Sequence, residues 1–99
     1  MKRNAGKTGA PAAPIAVERV QTGVRIEKRI LKVLKGLAEV LDLSLGDLLE
    51  GVVLHAFEGK APFEKDTLRK IAELKKIYGL DLDASASHRM EERSPLLRG

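Results

Sequence analysis

The chain has 99 residues, of which 43% are hydrophobic and 32% charged, and its formal net charge at pH 7 is +4. This length suits one small domain, and the lack of cysteine excludes disulfides and thiolate metal sites. Two Phe and one Tyr are too few for a surface that stacks single-stranded bases on aromatic rings. No apolar run approaches the roughly 18 residues of a membrane helix, and the start of the chain lacks the apolar core of a secretory signal. We therefore expect a cytoplasmic protein with no membrane contact.

Charge is distributed unevenly along the chain. Residues 1–35 hold nine Lys or Arg and two Glu, whereas residues 36–59 hold five acidic residues and no Lys or Arg. A basic front half predicts a polyanionic partner, most simply nucleic acid. The alternative is a solvated basic surface without a partner.

Two segments precede the helical part of the sequence. Residues 1–17 are rich in Gly, Ala, Pro and basic side chains, which predicts a flexible basic arm. In residues 18–26 apolar and polar residues alternate, which predicts a β-strand. The side chains expected to face inward are Val20, Thr22, Val24 and Ile26. The side chains expected to face outward are Arg19, Gln21, Gly23 and Arg25.

Apolar residues spaced three and four apart then predict three helices. The first covers Lys28–Leu41, the second follows Ser44 as its N-cap and ends at Gly59, and the third begins after Pro62 and ends at Gly79. We expect residues 18–59 to form the core unit, residues 60–80 an additional helix, and residues 81–99 a mobile tail.

Two features predict an oligomer. The second helix is apolar around most of its circumference, and a chain this short has little material to bury it. A lone strand also leaves its backbone groups unpaired. The simplest partner for both is a second copy of the chain.

The stretch "TGVRIEKRILKVLKGLAEVLDLSLGDLLEGVVLHAF" resembles the ribbon-helix-helix family of Arc- and MetJ-type DNA-binding proteins. The resemblance implies a mostly α fold with one short β-strand. It implies an intertwined homodimer whose two strands form an intermolecular antiparallel ribbon, to which this chain adds an extra C-terminal helix. The ribbon enters the major groove of double-stranded DNA.

The resemblance also assigns contacts. The residues that contact bases are Gln21, Gly23 and Arg25. Arginine suits guanine and glutamine suits adenine, because each forms two hydrogen bonds to the base edge. Phosphates are contacted from the ends of the first two helices and from the strand. The residues expected there are Arg19, Lys28, Arg29, Ser44, Leu45 and Gly46.

We therefore expect a dimeric, sequence-specific protein that binds double-stranded DNA, a transcriptional repressor associated with the nucleoid. No nucleophile–base arrangement is visible, and the two histidines are far apart, so we expect no enzyme activity, metal or cofactor. One alternative is an antitoxin-like or adaptor module whose residues 60–99 bind a protein partner. Another is a monomeric helical protein in which residues 18–26 are unstructured.

Overall fold

A computed structural model of the protein describes residues 13–93. These residues form three α-helices, α1 (Lys28–Leu41), α2 (Leu45–Phe57) and α3 (Lys65–Tyr78), followed by a short 3₁₀ helix (Ala84–Ala86). The mostly α-helical composition predicted from the sequence is confirmed. None of these helices is long and apolar enough to cross a membrane. Most of the predicted basic arm, residues 1–17, lies outside the described residues.

The ends of α1 are fixed by local hydrogen bonds. The Glu27 carboxylate accepts the backbone N–H of Ile30 at 2.9 Å and so caps the N-terminus. At the other end Asp42 adopts a left-handed conformation with φ of 60°, and the next N–H, of Leu43, bonds Ala38 O at 2.9 Å. A left-handed residue at this position is the usual way to close a helix, although glycine adopts it at lower cost than aspartate.

Sequence signals also set the bounds of α2 and α3. The Ser44 hydroxyl accepts the Asp47 N–H at 3.0 Å, which makes Ser44 the N-cap of α2 as predicted. Gly59 and Gly79 follow α2 and α3 with φ of 71° and 66°. Glycine is favoured there because it has no Cβ to oppose a positive φ.

Helix α1 lies at the centre of the fold, and both other helices pack against it. Four hydrophobic residues are buried, three from α1 and one from α2: Val33, Leu37, Ala38 and Leu48. Helix α3 approaches α1 closely at Gly36, where a Cβ would lie 3.0 Å from Leu74 Cδ2. Helix α3, which was predicted to be an addition to the core unit, therefore packs directly on α1.

The predicted β-strand is wrong. Residues 18–26 form no strand, and no strand is found elsewhere in residues 13–93. Two of the side chains expected to face inward are open to solvent, since Val20 is 78% exposed and Val24 is 75% exposed. Alternating apolar and polar residues form a strand only where a second strand pairs with their backbone. Every other regular element in residues 13–93 is helical. The ribbon-helix-helix architecture, with its two-stranded ribbon, is therefore not observed.

Candidate nucleic-acid interface

The arginines predicted to contact DNA each bind a carboxylate of the same chain. In the N-terminal segment, residues 13–27, Arg19 donates two hydrogen bonds of 2.8 Å to Glu50 of α2. Arg25 donates from Nε to Glu92 at 2.9 Å, and its Nη2 contacts the second oxygen of the same carboxylate. The N-terminal segment is thereby fastened to α2 at one point and to the C-terminal residues at another.

Arg29, in the first turn of α1, has a similar role. It donates hydrogen bonds of 2.9 Å to Glu27 and to Asp81, and one of 3.2 Å to the carbonyl of Gly79. The contacts with Gly79 and Asp81 hold the end of α3 and the chain after it against the start of α1.

These contacts change the acidity of the carboxylates. Hydrogen bonding from Arg19 lowers the pKa of Glu50, and hydrogen bonding from Arg25 lowers the pKa of Glu92. The pKa of Glu27 is lowered chiefly by the N–H of Ile30, with Arg29 adding to the effect. All three carboxylates are therefore charged at neutral pH.

The pairs formed by Arg19 and Arg25 lie on the surface. The side chain of Arg19 is 65% exposed and that of Arg25 is 82% exposed. Exposed ion pairs contribute little to stability because water and salt screen them. A phosphate group can therefore take the place of Glu92 beside Arg25 at small cost.

The other two predicted base-contacting residues are open to solvent. Gln21 and Gly23 are both exposed. A Cβ built at Gly23 meets no atom of residues 13–93 within 4 Å. This part of the N-terminal segment can approach a ligand through both backbone and side chain.

The start of α2 was predicted to bind phosphate through Ser44, Leu45 and Gly46. A groove of about 690 Å³ lies between this helix end and the N-terminal segment, and Ser44 and Gly46 line it. Three carboxylates and one guanidinium line it as well: Glu18, Asp47, Glu50 and Arg19. The excess of negative charge opposes a phosphate here, so these charges do not favour the predicted contact.

The outward side of α1 has the opposite character. Lys28, Lys32 and Lys35 are all exposed and lie four and three residues apart, which places them on one side of the helix. We call them the lysine face, and it spans about 10 Å along the axis. The buried Val33 and Leu37 lie on other sides of α1. In the described part of the chain no carboxylate forms an ion pair with the lysine face, and the Lys32 Nζ lies 5.7 Å from the ring centroid of Tyr78.

The carboxylate partners of the arginines were not predictable from the sequence. Glu50 and Glu92 lie 31 and 67 residues from the arginines that they bind. The only sequence signal was the acidic character of residues 36–59 and the acidic side chains of residues 81–99. Charge alone does not identify which pairs form.

Comparisons of the chain with protein-family models, with curated proteins and with solved structures found no match.

Proposed function

We propose that this protein binds double-stranded DNA with the lysine face of α1 against the phosphate backbone. The observation that carries the proposal is the lysine face itself: three exposed cations within about 10 Å that have no carboxylate partner in the described structure. Cations in this arrangement release counterions from DNA, which is the main source of non-specific affinity.

Two arginines extend this surface toward the N-terminal segment. Arg25 and Arg29 flank Lys28 at the start of α1. Arg25 exchanges Glu92 for a phosphate or a base edge when DNA binds, at the small cost expected for an exposed pair. Arg29 adds positive charge while it keeps its contacts with Glu27, Gly79 and Asp81. Arg19 is left out of the proposed surface, because it lies beside three carboxylates at the start of α2.

Sequence-specific binding and repression of transcription stay predictions. They depend on base contacts by Gln21, Gly23 and Arg25. The exposure of Gln21 and Gly23 supports them, since base edges are read by side chains and backbone that are free to enter a groove. Selection of binding sites from random duplexes at physiological salt tests this. Enrichment of one sequence supports specific binding, and no enrichment contradicts it.

Salt dependence of binding to a fluorescent duplex tests the proposed surface. The triple variant Lys28→Gln, Lys32→Gln, Lys35→Gln removes the lysine face. We expect the slope of log affinity against log salt to become shallower by about 0.9 for each phosphate that the variant no longer neutralises.

A second triple variant on α3 is a matched control. Lys65→Gln, Lys70→Gln, Lys76→Gln removes the same charge from exposed positions elsewhere. We expect its slope to equal that of the wild-type chain. An equal change of slope in the two variants would mean that total charge, and not the surface of α1, determines binding. No measurable binding by the wild-type chain would contradict the proposal entirely.

The adaptor alternative places a protein partner on residues 60–99. Leu68 and Ile77 are exposed on α3, but nine residues separate them, which puts them on opposite sides of the helix. They therefore form no common surface. Because α3 packs on α1, deleting it is also expected to unfold the chain.

A further inference from the structure

The C-terminal end of α3 lies beside the lysine face of α1. A Cβ at Gly36 would lie 3.6 Å from Cε2 of Tyr78, which is the last residue of α3. Arg29 of α1 donates a hydrogen bond of 3.2 Å to the carbonyl of Gly79, the next residue along the chain. Lys32 lies three residues after Arg29 and four before Gly36, so it neighbours both on the helix surface. These contacts hold the Tyr78 ring against α1 at the level of Lys32.

The Tyr78 ring contacts a cation of the lysine face. The Nζ of Lys32 lies 5.7 Å from the ring centroid, within the roughly 6 Å at which the negative face of the ring attracts an ammonium group. In residues 13–93 Lys32 is the one member of the lysine face that lies over an aromatic ring. Tyr78 is 37% exposed and Lys32 is exposed, so a phosphate can reach the ammonium group while the ring holds it.

This contact leaves Lys32 ready to bind a phosphate, unlike the contact that holds Arg25. Arg25 forms an ion pair with the carboxylate of Glu92, which offsets its charge. An aromatic ring carries no net charge, so Lys32 keeps its full positive charge, and the N–H groups that point away from the ring stay free. A lysine side chain has many rotamers, and their entropy is lost on binding unless the side chain is already held.

We propose that Tyr78 is a positioning residue of the DNA-binding surface, and that its ring holds the Lys32 ammonium group in place for the phosphate backbone. Lys28 and Lys35 lie on either side of Lys32 along α1, so Lys32 is the centre of the lysine face. Fixing the central cation before DNA arrives reduces the entropy that is lost on binding. This role rests on the proposed binding of DNA.

Carbon–proton NMR of the full chain tests the contact without DNA. The ring current of Tyr78 should shift the Cε protons of Lys32 upfield relative to those of Lys28 and Lys35. Tyr78→Phe keeps the ring and should keep the shift, whereas Tyr78→Leu should abolish it. Equal shifts for the three lysines in the wild-type chain would overturn the proposal, whatever the chain binds.

Fluorescence anisotropy with a DNA duplex tests what the contact does for binding. Tyr78→Leu should weaken the affinity by about two- to five-fold, the range expected for an exposed cation–π contact. The slope of log affinity against log salt should not change, because no charge is removed. Tyr78→Phe is the matched control and should bind like the wild-type chain. Unchanged affinity in Tyr78→Leu would overturn the proposal.

A double-mutant cycle separates positioning from general destabilisation. In a chain that carries Lys32→Gln, Tyr78→Leu should have no further effect on affinity. An equal loss with and without Lys32 would overturn the proposal, because the effect of Tyr78 would then not act through this lysine.

Single lysine variants give a further test that leaves the packing of Tyr78 undisturbed. Lys28→Gln, Lys32→Gln and Lys35→Gln each remove one charge, and we expect Lys32→Gln to lose the most affinity because its side chain is held in place. Equal losses would overturn the proposal. A wild-type chain that does not bind the duplex would overturn the proposed function as well, whereas wild-type binding that Tyr78→Leu leaves unchanged would overturn the role of Tyr78 alone.

Discussion

Helices α1 and α2 have nearly equal length, 14 and 13 residues, but use their surfaces differently. Helix α1 buries its apolar side against both neighbours and turns lysines outward. Helix α2 buries only Leu48 and turns Val53, Leu54 and Phe57 outward. The outward side of a helix is where it can meet other molecules, so the two helices offer different chemistry to a partner: cations on α1 and apolar side chains on α2.

The largest expected effect concerns the buried side of α1. Leu37 is 2% exposed at the centre of the core, so Leu37→Ala should lower the free energy of unfolding by about 2–5 kcal/mol through reduced burial and a cavity. Leu68→Ala, at a position 52% exposed on α3, is the control and should change it by less than about 1 kcal/mol. Urea denaturation measures both. Similar costs at the two positions would contradict the proposed core.

Two helical glycines give a second comparison of α1 with α2, with a smaller expected effect on stability. Gly51 of α2 has open space around a built Cβ, so Gly51→Ala should raise the free energy of unfolding by about 0.5–1 kcal/mol through helix propensity. A Cβ at Gly36 of α1 lies 3.0 Å from Leu74 Cδ2, so Gly36→Ala should gain less or lose stability. Thermal unfolding of the two variants at equal concentration measures the difference. An equal gain would mean that α1 and α3 are not in close contact.

A smaller effect concerns the arginines beside the lysine face. Arg25 is held by Glu92, and Glu92→Gln removes the carboxylate that we propose DNA replaces. We expect a gain in duplex affinity of a few-fold at most, since exposed pairs are weak. Glu91→Gln makes the same charge change at the neighbouring position and should have less effect. Fluorescence anisotropy measures both affinities, and a loss of affinity in Glu92→Gln would contradict the proposed exchange.

The smallest effect is the response of the Arg19–Glu50 pair to pH. The pKa of Glu50 is lower in the folded chain than its ordinary value of 4.5. The pair's contribution is therefore complete above pH 4.5 and is lost as the pH falls through the folded pKa. Carbon NMR of the Glu50 carboxyl should show titration below 4.5, and in Arg19→Gln the midpoint should move upward. An unchanged midpoint would contradict the pair.

The helices of this fold were predictable and the N-terminal segment was not. Apolar spacing located α1 and α2, while Ser44, Gly59 and Gly79 marked helix ends through local hydrogen bonding and positive φ. The alternation in residues 18–26 favours a strand only where a second strand pairs with it, and residues 13–93 provide none. The α1 lysines were visible in the sequence, but their lack of carboxylate partners depends on tertiary structure.

Lysine footprinting tests most directly whether DNA binds the lysine face of α1. Exposed amines of the full chain are acetylated with and without a DNA duplex, and modification is measured by mass spectrometry. DNA should protect Lys28, Lys32 and Lys35, while Lys65, Lys70 and Lys76 should react as before. Protection of the α3 lysines with continued reaction of the lysine face would contradict the proposed surface.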